Sequence, residues 1–170
     1  GTSALVLTQD ARFPSSAVLL EAVYVAECPA PPVLNAQRFL PPTARRMLID
    51  EHGQERSTEI DADALGGKCL RSRRPLAKAL LEAKRKVLDA MVTLAEQQAA
   101  RETAEVRDQA VALMRRELDG ELVRLETLAQ RNPAVRSEEI EALKAERDAL
   151  TEALANSRLR LDALRVIAFA

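Results

Sequence analysis

The sequence predicts an α+β fold: a small, mostly antiparallel sheet covered by a very long helix that continues into a projecting antiparallel helical hairpin. Three observations lead to this prediction. Strand-like segments occur near both ends of the chain. Between them, residues 76–131 consist almost entirely of strong helix formers, with only Gly120 as an interruption. A second helical segment, residues 137–157, is long enough to run back along residues 111–131.

The predicted elements belong to one domain, which we expect to be a fragment of a longer chain. Residues 1–70 and 158–170 would form the sheet portion, residues 75–131 the long helix, and residues 137–157 the return helix. At 170 residues the chain is long enough to bury a core of its own.

Composition limits the classes of function. The 25 basic and 26 acidic residues give a formal net charge of −1, so the chain has no overall attraction to nucleic acid or to a membrane surface. Aromatic residues make up only 2%, too few for a platform that stacks single-stranded bases. Cys28 and Cys69 form no CxxC pair, and no apolar run has the length of a membrane span. We therefore expect a reduced, cytoplasmic protein with no membrane partner.

The N-terminal part predicts three strands. Residues 5–8 would form a short edge strand, and residues 17–27, apolar on both faces, a central strand covered from two sides. Prolines after Cys28 end this second strand. Residues 45–50 would form the third, stopped by a turn at His52 and Gly53. Residues 54–67 are polar and predict a loop with at most one further edge strand.

The long helical run divides into segments by composition. Residues 76–95 carry a broad apolar stripe of the kind that covers a sheet face. From residue 111 the apolar positions recur at spacings of three or four, which predicts a narrow seam against a partner helix: Val111, Met114, Leu118, Leu122, Leu125 and Ala129. A break near residues 97–105, giving three shorter helices, is the main structural alternative.

The return helix has a clear start signal. Asn132 and Pro133 end the long run, and Ser137 is expected to cap the next helix, with Glu138 and Glu139 in its first turn. One face of this helix is apolar apart from Arg147. Residues 160–169 then predict a last strand that joins the N-terminal strands in the same sheet.

One stretch imitates a catalytic motif. Residues 47–52, Met-Leu-Ile-Asp-Glu-His, resemble the acidic strand end of a nucleotide hydrolase, but the chain has no GxxxxGK[ST] phosphate loop. We interpret the stretch as a strand that enters a polar turn. His52 is the only histidine and is expected to be a solvated turn residue. The sequence therefore predicts no catalytic, cofactor-binding or metal-binding residue in this chain.

A local basic cluster is the one candidate binding site. Eight basic residues lie between positions 68 and 86 against a single acid, Glu82: Lys68, Arg71, Arg73, Arg74, Lys78, Lys84, Arg85 and Lys86. Contacts with phosphate need several cations on one surface, so this basic cluster could bind a DNA or RNA backbone. The alternative is a solvated face with structural cations. The hairpin likewise has two interpretations. It is either an arm that binds a protein partner or a stable projection that has no partner.

Several short stretches are similar to one protein family. Residues 38–43 (RFLPPT), residues 46–48 (RML), Asn132-Pro133 and residues 160–165 (RLDALR) resemble the C-terminal domain of the RapA or HepA family. Its members are bacterial RNA-polymerase-associated ATPases of the Swi/Snf type. The resemblance implies a parent protein that binds core RNA polymerase, hydrolyses ATP while moving on nucleic acid, and frees stalled polymerase for reuse.

The resemblance also implies a role for this part of the parent. The family's nucleotide-binding and helicase-type motifs have no matching positions here, so the chain would be a non-catalytic accessory domain, and ATP and Mg²⁺ would bind in the parent motor. Its partners would be the motor domains of the same chain, RNA polymerase, and DNA or RNA backbone. The alternative from a different class is a stand-alone helical-hairpin scaffold that joins proteins by coiled-coil packing.

Overall fold

The computed structural model describes residues 2–66, 70–71 and 74–169. Five strands form one sheet in the order β3-β2-β5-β1-β4: β1 (Thr2–Thr8), β2 (Val18–Glu27), β3 (Thr43–Asp50), β4 (Leu70–Arg71) and β5 (Arg158–Phe169). The helices are α1 (Ala62–Gly66), α2 (Arg74–Ala83), α3 (Arg85–Ala129) and α4 (Ser137–Ala155), with two single 3₁₀ turns at Pro32–Leu34 and Ala36–Arg38. The predicted α+β class is confirmed.

These elements form two compact units. The sheet unit comprises Gly1–Val25, Ala44–Arg101 and Arg160–Ala170, and the hairpin unit comprises Ala26–Thr43 and Glu102–Leu159. Helix α3 contributes its N-terminal part to the sheet unit and its C-terminal part to the hairpin unit.

Both ends of the chain contribute to one sheet, as predicted. β5 lies between β2 and β1 and pairs in parallel with β1, from Thr2 opposite Ala163 to Thr8 opposite Phe169. β2 has neighbours on both sides, as expected for a central strand. The prediction that residues 5–8 form an edge strand is wrong, because the two-residue strand β4 pairs with Val6 and Leu7 beyond it. Two residues are too few to produce a recognisable pattern.

The sheet is buried on two faces near its centre. On one face, burial and to a smaller extent the charge of Glu96 raise the pKa of Tyr24, so α3 lies on this face. The buried side of α3 here includes Leu88 and Met91, as the apolar stripe predicted. On the other face, Leu19, Leu48 and Ile167 pack with side chains from the segment that follows β3 and from α1, Ile60 and Leu65.

The segment after β3 is more ordered than the predicted loop. Glu55 forms an isolated antiparallel bridge with Ile49, and α1 follows at Ala62–Gly66. Ile60 and Leu65 are the two apolar residues that stand out in this polar stretch, and both are buried. Their burial explains why the segment packs on the sheet.

The long helix differs from the predicted run in two ways, an interruption and an earlier end, and is continuous where the alternative placed a break. An interruption lies at Lys84, between α2 and α3, although Lys84 N donates to Leu80 O and Leu88 N donates to Lys84 O, both at 2.9 Å. The alternative break near residues 97–105 is wrong, because α3 is continuous there. The helix ends at Ala129 rather than at Arg131. Alanine and long polar side chains favour helix, and Ala99 and Thr103, one turn apart, are both buried; together these explain the continuity through residues 97–105.

The hairpin unit contains the predicted seam. Met114 and Leu118 of α3 cluster with Leu150 and Leu154 of α4, and all four side chains are buried. Ion pairs between Asp119 and Arg147 and between Glu126 and Lys144 fix the antiparallel direction of the two helices. The predicted hairpin is confirmed. Sequence reasoning did not foresee that the Pro-rich segment after β2 adds three side chains to this cluster: Ala36, Phe39 and Leu40.

The start of α4 differs from the predicted cap. Ser137 is the first helical residue, and Arg136 in an extended conformation takes the cap position without a side-chain hydrogen bond. Glu138 and Glu139 lie in the first turn, where negative charge favours the exposed backbone N–H groups. The helix ends at Ala155, two residues before the predicted end.

Candidate functional site

A buried carboxylate joins three neighbouring strands of the sheet unit. Glu21 of β2 is 8% exposed. Its Oε1 accepts a hydrogen bond from Nε of Arg46 on β3 at 2.7 Å, and its Oε2 accepts one from Nε of Arg165 on β5 at 2.6 Å. Arg46 also donates from Nη1 to the carbonyl oxygen of Ile60 at 2.6 Å. We call Glu21, Arg46 and Arg165 the strand triad.

Electrostatics keep Glu21 ionised. Burial by itself would raise the pKa of this carboxyl, but the hydrogen bonds from Arg165 and Arg46 outweigh burial, and the pKa is lowered. A carboxylate held between two guanidinium groups is a poor proton acceptor at neutral pH. The strand triad is therefore suited to holding strands together and not to acid or base chemistry.

Asp50, in the stretch that imitates a hydrolase motif, organises a turn. Its Oδ1 accepts from the backbone N–H groups of His52 at 2.9 Å and Gln54 at 2.8 Å, and its Oδ2 accepts from Nε of Arg56 at 3.0 Å. Gly53 adopts a φ of 77°, which favours glycine. Burial opposes ionisation of Asp50, but these bonds prevail and lower its pKa. His52 is exposed, as expected.

Within residues 2–66, 70–71 and 74–169, no group of three or more His, Cys, Asp or Glu side chains could hold a metal ion. Cys28 is a free thiol that donates from Sγ to the carbonyl oxygen of Ala153 at 3.1 Å. Cys69 lies outside the described residues.

The basic cluster is described in part. Lys68 and Arg73 lie outside the described residues, and for Arg71 in β4 and Arg74 at the start of α2 the structure gives the backbone position. Lys84 already has a partner within the chain, because its Nζ lies 2.6 Å from Glu51 Oε1 and the side chain is half-buried.

Of the four cluster side chains that the structure describes, three are exposed: Lys78, Arg85 and Lys86. Lys78 Nζ lies 3.8 Å from Glu82 Oε1, and Arg85 Nε lies 4.0 Å from Asp89 Oδ2. Exposed pairs one helical turn apart contribute only about 0.3–0.5 kcal/mol, so a phosphate could replace either carboxylate as the partner. Among the cluster side chains that the structure describes, these three are free to contact a nucleic-acid backbone.

The hairpin unit has two kinds of exposed surface. Arg147, the one charged residue on the apolar face of α4, donates to Asp119 at 3.2 Å and to Asp148 at 2.8 Å. These side chains line an open cleft of about 410 Å³, together with Arg115 and Thr151. Apolar side chains are exposed elsewhere on this unit: Val33 (89%), Val123 (63%) and Leu128 (40%). Mixed charge beside exposed apolar groups is typical of surfaces that bind proteins.

No helix in the part of the chain that the structure describes is both long enough and apolar enough to cross a membrane.

The chain matches known proteins over nearly its whole length. A family model described as RNA polymerase recycling family C-terminal matches residues 1–169. Two similar relatives both carry the name RNA polymerase-associated protein RapA, one from Erwinia tasmaniensis with 34% identity over 167 residues and one from Photobacterium profundum with 32% identity over 167 residues. Each alignment covers 98% of this chain and 17% of the relative. The chain therefore spans about a sixth of the length of these relatives.

Proposed function

The chain belongs to the RNA polymerase recycling family, whose C-terminal domain it represents, and on this premise we propose that it is a non-catalytic accessory domain of a larger RNA-polymerase-associated protein. The observation that carries the proposal is the match of 98% of the chain to a small part of relatives named for their association with RNA polymerase. The parent would use ATP to move on nucleic acid and to release stalled polymerase for reuse, as the family resemblance implies.

The structural roles of Glu21 and Asp50 support a non-catalytic domain. Glu21 is neutralised by two arginines, and Asp50 is saturated by two backbone N–H groups and Arg56. In the proposed parent, ATP and Mg²⁺ bind in the motor domains of the same chain. This chain would contribute surfaces that bind partners and would take no part in phosphate chemistry.

The hairpin unit is the surface that we assign to RNA polymerase. Its exposed Val123 and Leu128 lie on the same helix as the seam residues but outside the buried cluster. Apolar side chains of this size add little to stability while exposed, and a protein partner could bury them. The accessible cations Lys78, Arg85 and Lys86 would instead contact the DNA or RNA backbone on which the parent moves.

A stand-alone scaffold is less well supported, because the match extends over both units and not only over the hairpin. A coiled-coil scaffold also needs an open seam for its partner. Here Met114, Leu118, Leu150 and Leu154 are already buried within the chain.

The proposal is tested by comparing the full-length parent with a parent that lacks residues 2–169. We expect deletion to reduce binding to core RNA polymerase or release of stalled polymerase, with ATP hydrolysis by the motor retained. Unchanged binding and release would contradict an accessory role. Hydrolysis of ATP by the 170-residue chain alone, at a rate similar to that of the parent, would contradict a non-catalytic one.

The assignment of the hairpin is tested with point variants of the parent. Changing Val123 and Leu128 together to Asp should weaken retention by immobilised core polymerase. Leu81→Asp is the control, since Leu81 is also exposed but lies on α2 in the sheet unit. Equal retention of all three proteins would place the polymerase contact elsewhere.

A further inference from the structure

On the central strand β2, only one face is buried along the full length of the strand. On β2, burial alternates from Val23 onward: Tyr24 and Ala26 remain buried on the face that α3 covers, whereas Val23 and Val25 on the opposite face are half-buried. Side chains two positions apart on a strand point to the same face. The face that carries Leu19 and Glu21 is therefore partly uncovered beyond Glu21.

On the neighbouring strands burial decreases toward the same end on both faces, and the face that continues from Leu19 and Glu21 is among those that lose it. On β3, Leu48 is buried, Arg46 is half-buried and Ala44 is exposed. On β5, Ile167 is buried, Arg165 and Ala163 are half-buried, and Leu161 is 40% exposed. The strand triad thus separates the buried cluster of Leu19, Leu48 and Ile167 from an uncovered apolar area. We call that area the open face; it consists of Val23, Val25, Ala44, Leu161 and Ala163.

The triad makes the open face a preformed surface. Because Glu21 is bonded to both arginines, its charge is satisfied before any partner arrives. A partner that covers the open face then gains apolar contact without having to supply a countercharge for Glu21. Each half-buried Val or Leu that becomes fully buried adds to the affinity roughly in proportion to the area removed from water.

The register of β1 indicates which partner is close by. Thr2 lies opposite Ala163 in the parallel pair, so the chain enters the sheet at the end where the open face lies. The matching family is a C-terminal one, and the relatives are about six times longer than this chain. A domain joined to the N-terminal side of β1 would be held next to the open face at a high effective concentration.

From this geometry we propose that the open face is the docking surface for the domain of the parent protein that immediately precedes β1. The inference rests on the proposed function, since it requires the larger parent. Val23 and Ala163 lie at the centre of this docking surface, and the strand triad forms its border. The contact would be intramolecular and present without RNA polymerase.

The test compares thiol labelling in the 170-residue chain and in the full-length parent, each without polymerase and in a background free of other reactive cysteines. Val23→Cys and Ala163→Cys should react at least about tenfold more slowly in the parent, because docking must open before the thiol is reached. Val33→Cys is the exposed control and should react at the same rate in both proteins. Equal rates for Ala163→Cys and Val23→Cys in the two proteins would overturn the proposal.

Two other results would also overturn it by naming a different occupant. Protection that appears only after core polymerase is added would assign the open face to polymerase. Labelling that is already slow in the 170-residue chain, and that becomes slower as the concentration of this chain rises, would assign the face to a second copy. Because labelling is measured without polymerase, a parent that fails to bind polymerase would contradict the proposed function without affecting this readout.

A charge substitution gives an independent measurement. Ala163→Glu should leave the melting temperature of the 170-residue chain nearly unchanged, because Ala163 is half-buried and lies outside the buried cluster of this face. In the parent the same variant should restore fast labelling of Val23→Cys. Continued protection in that double variant would contradict docking on the open face.

Discussion

Arg165 donates a hydrogen bond to Glu21 with 2.6 Å between Nε and Oε2, although the two residues lie 144 positions apart in the sequence. Arg46 reaches the other oxygen of the same carboxylate at 2.7 Å. The three side chains therefore connect β3, β2 and β5 in the sheet, so that the register of each strand depends on its neighbours. This relationship predicts a strong dependence of stability on Glu21.

Glu21→Gln should lower the free energy of unfolding by about 3 kcal/mol, because Arg46 and Arg165 would keep their partly buried positions without a countercharge. Urea unfolding of the 170-residue chain measures this difference. Glu126→Gln is the control, since Glu126 forms an exposed pair with Lys144 at 3.4 Å, and pairs of that kind contribute at most about 1 kcal/mol. Similar losses for both variants would contradict the structural role of the strand triad.

Stability should fall in acid. Burial disfavours ionisation of both Glu21 and Asp50, but their hydrogen bonds prevail and each folded-state pKa is lowered. A lowered carboxyl pKa stabilises the fold above the unfolded value of about 4, and this contribution is lost as the pH falls through the folded-state pKa. Unfolding measured between pH 6 and pH 3 should show the loss. Glu21→Gln should reduce its slope, and an unchanged slope would contradict this assignment.

The two glycines with described surroundings should respond in opposite directions. Gly120 lies inside α3, and an added Cβ would meet open space, so Gly120→Ala should stabilise by about 0.5–1 kcal/mol. Gly53 has a φ of 77°, and an added Cβ would lie 2.9 Å from Leu94 Cδ1, so Gly53→Ala should destabilise by about 1–2 kcal/mol. Thermal melting of both variants checks the signs. A destabilising Gly120→Ala would contradict the helix geometry there.

The stability of the hairpin core should depend on the buried side chains of α4. Leu154 is fully buried with Met114 and Leu118, so Leu154→Ala should cost about 2–5 kcal/mol. Leu128→Ala, which shortens an exposed leucine on α3, should cost less than about 0.5 kcal/mol. Urea unfolding followed by helical circular dichroism compares the two variants. Equal costs would mean that α4 does not pack on α3 through this cluster.

The accessible part of the basic cluster should control salt dependence. Changing Lys78, Arg85 and Lys86 together to Ala should weaken DNA or RNA binding and reduce the slope of affinity against salt concentration, since fewer counterions are released. A triple Ala variant of the exposed Arg115, Arg116 and Arg131 in the hairpin unit is the charge-matched control. The same slope in the first variant and the wild type would assign these cations to solvent.

Local patterns in the sequence predicted the parts of the fold that depend on near neighbours. The spacing of Met114, Leu118 and Leu122 indicated the seam of α3, and all three are buried. The two-faced apolar pattern of residues 17–27 indicated the central strand β2. Such patterns arise because helix and strand periods fix which residues share a face.

The strand triad and the covering of the seam were not predictable in this way. Glu21, a charge in the interior of an apolar strand, was a signal that could have suggested a buried ion pair. Its partners are 25 and 144 positions away, and only the strand order brings them together. The packing of Phe39 and Leu40 against the hairpin helices is likewise a contact between distant segments. For the basic cluster, charge alone could not separate Lys84, which pairs with Glu51, from its exposed neighbours.

The position of β5 in the middle of the sheet sets the order of events during synthesis. A ribosome must complete this strand before β1 and β2 acquire their shared neighbour, so the earlier strands emerge with unpaired edges. The intervening helices can form meanwhile from local contacts. Closure of the sheet is therefore a late, long-range step, and a chain that stops short of Arg165 would expose an open strand edge and leave Glu21 with Arg46 as its one arginine partner in the strand triad.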